Sequence, residues 1–486
     1  MASIKEQTVE STKWVMLEKF SRQGVSFLFS IIMARILSPE DFGVLSLITV
    51  ILNLTLIFVD SGLSMALIRK NNRTNEDLST VFYFNVFIAV VLYLFLIFIS
   101  PLLAIFFKMP ILEDVIKIQA ISVIFNSFAA VQVAILTIRL DFKTLAKASF
   151  MSSIISSAFA IIVAFAGAGI WALVWQSLLF SILNFFFVIY SCRWFPLLTF
   201  STSSFKELGG FGSKLLLSSI IHTLYQELTT ILIGRFYSVK ELGYYNRGSE
   251  FAKMPISTIN GVLQKITYPI LAKIQDDTDR LINVYRKYIK VCSILIFIIC
   301  ACIAALSKPI IILVLGDKWL ESIIYLQIFS LTFMFDHISS INLNLLKVVG
   351  KSGLFLKLEV IKKTISIIML LIAVPFGVLS ICFALFLYNQ VAIVINTYYT
   401  GKLFNLGYYQ QFKDFGKYLF FSLLACTPAY ALTFTHIHYV PVLLMGLPLS
   451  LFLYYIILRK DELMIEIMDL LTNKLTIILN FYFRKR

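Results

Sequence analysis

Ala34-Arg35-Ile36-Leu37-Ser38-Pro39-Glu40-Asp41-Phe42-Gly43 recurs, altered but in order, as Gly234-Arg235-Phe236-Tyr237-Ser238-Val239-Lys240-Glu241-Leu242-Gly243. Arg, Ser, an acid, an apolar residue and Gly keep their sequence at an offset of 200 residues. Each copy closes one apolar stretch and opens the next. A fainter echo links Arg139-Leu140-Asp141-Phe142-Lys143 with Lys347-Val348-Val349-Gly350-Lys351. Both of these fall in basic loops at matching places along the chain. The repeat predicts two lobes of six helices, residues 1–205 and 206–402, followed by two extra spans in 403–460 and an amphipathic basic tail in 461–486. Six is even, so both copies enter the membrane with one orientation, related by a pseudo-two-fold axis along the membrane normal.

The apolar stretches themselves set the class. Hydrophobic residues make up 59% of the 486 and charged residues 14%, and mean hydropathy is +0.87. A soluble chain of this size needs far more polar surface. A helix crosses the hydrocarbon core with about twenty apolar residues. A window of roughly nineteen residues marks about fourteen such spans: 14–35, 42–63, 80–106, 114–138, 148–167, 170–192, 207–234, 246–271, 289–314, 320–346, 356–376, 378–400, 416–434 and 439–458. The chain reads as an all-α, multi-pass membrane protein with no cleavable signal peptide.

The net charge of +15 does not point to nucleic acid, because it is distributed by topology. With the N-terminus inside, the inner segments hold roughly 29 of the 42 Lys and Arg, the positive-inside pattern repeated loop after loop. The expected topology is N-in and C-in, with inner basic groups against anionic lipid headgroups. The six cysteines fall in or beside spans as buried free thiols, and no metal-binding or redox spacing is present.

Charge inside a span is costly and marks function. In the first span Lys19 and Arg22 share a stripe with Ser26 and Ser30. In the second, Ser46, Thr49, Asn53 and Asp60 fall at helical spacing. The seventh carries Lys214, Ser218, His222, Tyr225 and Thr229, with Glu227 beside them. The eighth carries Arg247, Glu250, Met254, Ser257, Gly261, Gln264 and Tyr268, with Lys253 and Lys265 nearby. Such stripes must face protein or water, so these four helices are expected to line a hydrated central cavity. Lys19, Arg22, Lys214, Arg247 and Lys253 make it cationic, and a cation cluster in a low-dielectric cleft attracts phosphate. Asn53, Tyr225, Ser257 and Gln264 are its expected polar lining. Asp60, Glu227, Glu250 and Asp336 are candidates for coupling to H+ or Na+. Competing structural roles exist: Lys19 could snorkel, Arg247 could anchor at an interface, and His222 could be a hydrogen-bonded core residue.

Catalytic and ATP-binding motifs are missing. The sequence has no GxxxxGK[ST], no HExxH and no GxSxG, and its outer loops are short. A membrane glycosyltransferase or polymerase is therefore the weaker reading, and no cofactor is expected.

The first run, together with Asp60-Ser61-Gly62-Leu63-Ser64-Met65-Ala66-Leu67-Ile68-Arg69 and Asp77-Leu78-Ser79-Thr80-Val81-Phe82, resembles the start of Wzx/WzxC-type polysaccharide exporters of the multidrug/oligosaccharidyl-lipid/polysaccharide superfamily. Leu242-Gly243-Tyr244-Tyr245-Asn246-Arg247, Met254-Pro255 and Tyr268-Pro269 extend the resemblance into the second lobe. It implies a MATE/MurJ-like fold in a bacterial inner membrane. It also implies flipping of undecaprenyl-diphosphate-linked oligosaccharide for O-antigen, lipopolysaccharide or exopolysaccharide synthesis, alongside a polymerase and a chain-length regulator. Rivals within the fold are a multidrug antiporter, which would favour an acidic cavity, and a lipid II flippase.

Overall fold

The computed structural model describes residue 14 and residues 22–60, 62–435 and 437–469, without the side chains at 60, 211, 262–266 and 352. Among the described residues the secondary structure is helical, with no strand. The chain forms two compact units, Met1–Gly243 and Tyr244–Arg486.

The first unit holds α1 (22–36), α2 (Pro39–Asp60), α3 (Leu63–Arg69), α4 (Asn75–Phe107), α5 (Ile111–Gln119), α6 (Ile121–Ile138), α7 (Phe142–Phe165), α8 (Trp171–Cys192) and α9 (Thr202–Phe236). It ends within the first residues of α10 (Val239–Lys273). The second unit continues α10 and adds α11 (Thr278–Ala305), α12 (Ser307–Val314), α13 (Ser322–Phe333), α14 (Asp336–Val348), α15 (Ser352–Ala373), α16 (Val378–Phe404), α17 (Tyr408–Leu432), α18 (Tyr439–Leu458) and the described start of α19 (462–469).

Both copies of the repeated motif fold the same way. Ser38 donates from its backbone N–H and its hydroxyl to the Asp41 carboxylate, at 2.9 and 2.8 Å, while the Asp41 N–H returns to Ser38 Oγ. Ser238 and Glu241 repeat the arrangement at 3.1–3.2 Å. Each pair satisfies helix-start N–H groups that have no partner within the helix, so one sequence pattern starts both α2 and α10. Thr74 and Asp77 start α4 by the same device. That helix runs 33 residues, or about 50 Å at 1.5 Å per residue, more than the hydrocarbon core requires. Its exposed Leu94, Phe98, Leu102 and Ile105 are apolar, as a lipid-facing surface should be.

In the first unit α4 packs on α5, α6 and α9, and α8 on α6 and α7, while α9 also lies on α2 and α3. The core there joins Leu63 and Leu67 to Val131, Ile135, Leu136 and Val188. In the second unit α11 packs on α13, α14 and α17. Tyr285, Ile289, Ile296, Phe297 and Cys300 supply its buried face, against Phe415, Tyr418 and Cys426. All six cysteines are free and buried.

Nine helices among the described residues are long and apolar enough to cross a membrane. The other five of the expected spans differ for physical reasons. The first lies partly outside the described residues. Charges interrupt α10, α15 and α17, at Arg247, Glu250 and Lys253, at Lys357, Glu359, Lys362 and Lys363, and at Lys417. The tenth expected span, 320–346, is broken, with α13 ending at Phe333 and α14 starting at Asp336.

Candidate functional site

A helix broken within an apolar stretch leaves backbone groups without partners, and polar side chains gather at the α13–α14 break. Asp336 is the first residue of α14, where a carboxylate is favoured by the helix dipole. Asn389, on α16, spans the break: its Nδ2 donates to the Thr332 carbonyl and to Asp336 Oδ1, both at 2.9 Å. One amide thereby meets a carbonyl at the end of α13 and fixes the carboxylate that opens α14. The next residue, His337, is buried and paired through Nε2 with Ser293 Oγ at 2.9 Å.

Beside the break lies a cavity of about 380 Å³. Lys253, Ser257 and Asn260 of α10 face it from one side, and Asp336, Ser339 and Ser340 of α14 from the other. Ile256, Gly261, Phe333 and Leu343 supply apolar wall. The spacing on each helix explains the grouping. Residues 253, 257 and 260, and residues 336, 339 and 340, fall at intervals of three and four and so share a face. Ser257 donates its hydroxyl proton to the Met254 carbonyl at 3.0 Å, which leaves its oxygen lone pairs for an acceptor role. Ser339 Oγ is buried without a hydrogen-bond partner among the described residues.

The structure therefore brings together three of the predicted site residues, Lys253, Ser257 and Asp336, in one cavity. The others lie elsewhere. Arg247 is buried and held by Glu250 at 2.8 Å, so one charge of that pair answers the other. Asn53 donates to Glu227 Oε1 at 3.0 Å, joining α2 to α9 in the first unit. Arg22 on α1 and Lys214 on α9 are exposed, and Tyr225 is half-buried. Lys19 lies outside the described residues, and the side chains of Asp60 and Gln264 lie outside those described. No group of three or more His, Cys, Asp or Glu able to hold a metal occurs among the described residues.

Sequence reasoning missed Asn389, Asn260, Ser339 and Ser340. Asn389 lies beside Gln390 in an otherwise apolar run, and its polarity is the available signal. Its partner groups lie more than fifty residues earlier.

Comparison with known proteins bears on the family and the fold. A family model described as "Polysaccharide biosynthesis protein" matches residues 32–324. An uncharacterized membrane protein in the cps region of Klebsiella pneumoniae is 29% identical over 67% of this chain and 68% of its own length. The lipopolysaccharide biosynthesis protein WzxC of Escherichia coli (strain K12) is 25% identical over 67% of each. Among solved structures, the lipid II flippase MurJ in an inward closed conformation matches with TM-score 0.76 at 17% identity, covering 92% of this chain and 99% of its own. That likeness establishes the fold.

Proposed function

We propose a function from one established premise: the chain belongs to the polysaccharide biosynthesis protein family. It is a multi-pass membrane protein with a MurJ-like fold, a transporter and not an enzyme.

Our reading is a flippase. It moves an undecaprenyl-diphosphate-linked oligosaccharide from the inner to the outer leaflet of a bacterial inner membrane, by alternating access and without ATP hydrolysis. The observation that carries it is the family match over residues 32–324 on a fold that resembles a lipid II flippase over 92% of the chain. The relative WzxC, a lipopolysaccharide biosynthesis protein, supports the same class. We assign capture of the diphosphate to Lys19, Arg22 and Lys214, because Arg247 already answers Glu250. A guanidinium holds a phosphate through two parallel N–H donors, and Lys adds point charge. Coupling to H+ or Na+ falls to the acidic set Asp60, Glu227, Glu250 and Asp336. A multidrug role fits less well, since cationic drugs call for an acidic lining.

The test is the orientation of lipid-linked sugar in a strain lacking this chain. Undecaprenyl-diphosphate oligosaccharide is expected to accumulate on the inner leaflet while surface polysaccharide disappears. The wild-type gene restores export and Arg22→Ala does not. Unpolymerised intermediates on the outer leaflet would overturn the reading in favour of a polymerase or assembly role.

A further inference from the structure

We propose that the cavity between α10 and α14 is a saccharide subsite that receives one or two neutral sugar rings of the transported oligosaccharide; this rests on the flippase reading above. The lining decides the ligand class. Among the described residues it holds one cation, Lys253, and one anion, Asp336, so their formal charges balance, and a diphosphate would gain little from them. The two charges make no ion pair within 4.0 Å among the described residues, whereas such pairs occur elsewhere among them. Opposite charges that share a cavity without touching leave room for a group that bridges them. A polyol does this without net charge, because hydroxyls donate to a carboxylate and accept from an ammonium.

The remaining lining fits the same chemistry. Asn389 occupies Asp336 Oδ1, which fixes the carboxylate and leaves Oδ2 toward a hydroxyl donor. Ser339 offers a buried hydroxyl without a partner among the described residues, a group whose burial is costly if nothing pairs with it. Asn260 and Ser340 add an amide and a second hydroxyl, and Phe333 and Leu343 give an apolar wall for the C–H face of a ring. A volume of about 380 Å³ is at the small end of ligand pockets, which run from about 300 to 1,000 Å³, and suits one or two rings of a longer chain.

The experiment uses the full-length protein in lipid nanodiscs, with Ser257→Cys, at an exposed position on the cavity wall, as the reporter. The six native thiols are all buried, so a maleimide reads the introduced one. The probes are methyl β-D-glucopyranoside and methyl β-D-galactopyranoside, with inorganic pyrophosphate and sodium chloride as competitors of other classes. At least one neutral glycoside is expected to slow labelling and to show saturation transfer to wild-type protein. Asp336→Asn and Lys253→Gln should each weaken that binding about tenfold, the loss of one charge-assisted hydrogen bond. Protection by pyrophosphate or sodium without protection by either glycoside would overturn the subsite. Binding of undecaprenyl diphosphate to the same nanodiscs is measured in parallel. Retained lipid binding without glycoside protection overturns the subsite alone, and loss of both overturns the flippase reading with it.

Discussion

Gly43 lies so close to Val239 that a Cβ built on it would sit 2.0 Å from the Val239 carbonyl oxygen. Gly243 meets the Pro39 carbonyl at the same 2.0 Å. The last residue of each motif copy is therefore seated on the helix start of the other, a reciprocal contact that only a residue without a side chain permits. The duplicated sequence, which opens two helices, also packs those openings together. Nearby, Gly234 extends the contact, with Leu47 Cδ2 only 2.6 Å from the place of its Cβ.

Gly43→Ala and Gly243→Ala are each expected to destabilise the folded protein by about 1–3 kcal/mol, the usual cost of overpacking a close contact. A backbone carbonyl cannot rotate aside as a side-chain end can. Gly209→Ala is the control, because open space surrounds that position on α9 and alanine favours helix by about 0.5–1 kcal/mol. Thermal unfolding in detergent checks all three. An unchanged midpoint for Gly43→Ala would mean that the two helix starts do not bear on one another.

Asn389→Leu keeps the size of the side chain and deletes both bonds at the helix break. It is expected to cost about 2–3 kcal/mol, since a buried carbonyl and a carboxylate each lose a donor. A double-mutant cycle with Asp336→Asn separates the two losses. If Asn389 acts by holding Asp336, the two substitutions together cost clearly less than their sum, and strict additivity would leave Asn389 serving only the Thr332 carbonyl.

The contrast between Asp336 and Asn389 shows where the sequence is readable. Asp336, Lys253 and Ser257 are polar groups in apolar runs, and the cost of placing such groups in hydrocarbon makes them conspicuous from composition alone. The motif copies are legible for a related reason: the residues that recur are the ones that cap and pack. Asn389 belongs to no stripe, and its importance comes from a helix break at 334–335 that apolar composition conceals. Arg247 reads as a phosphate ligand by its charge, yet Glu250 one helical turn later answers it. Hydropathy likewise finds the uncharged spans and loses contrast over α10, α15 and α17, where charged residues interrupt the apolar run.

The start of α19 is held to the second unit by charge and apolar packing. Asp461 pairs with Lys417 and accepts from Tyr418 Oη at 3.3 Å, Glu466 pairs with Lys287 at 2.7 Å, and Leu463, Met464 and Ile467 pack on the core of that unit. Burial pushes the Asp461 carboxyl up, but Lys417 and the Leu463 N–H outweigh it and hold the group below its ordinary value. A depressed carboxylate contributes stability that is fully present above the unfolded value, about 3.9, and is lost as pH falls through the folded value. Hydrogen exchange over 461–469 is therefore expected to stay constant from pH 7 to about 5 after correction for intrinsic rates, and to rise below about 4. Lys417→Met leaves burial to dominate and should move that onset to higher pH. An onset unmoved by the substitution would place the hold in the apolar contacts instead.

Asp414 ties α17 to α11 at the basic end of both helices. Its carboxylate is 3% exposed and takes two parallel bonds from Arg286, Nε to Oδ2 at 2.7 Å and Nη2 to Oδ1 at 2.8 Å, with Lys290 at 3.2 Å from Oδ1. Arg286 and Lys290 are about a third exposed, at 39% and 31%, so solvent screens part of the attraction. Asp414→Ala removes the shared partner of two cations and is expected to cost about 2–3 kcal/mol, below the full cost of breaking a wholly buried pair. Arg286→Lys keeps one positive charge but loses the planar fork, and Lys290 remains, so the expected cost is about 1 kcal/mol. Unfolding midpoints of the two variants decide between charge and geometry. If Arg286→Lys costs as much as Asp414→Ala, the paired N–H donors hold these helices together and the net charge at Asp414 counts for little.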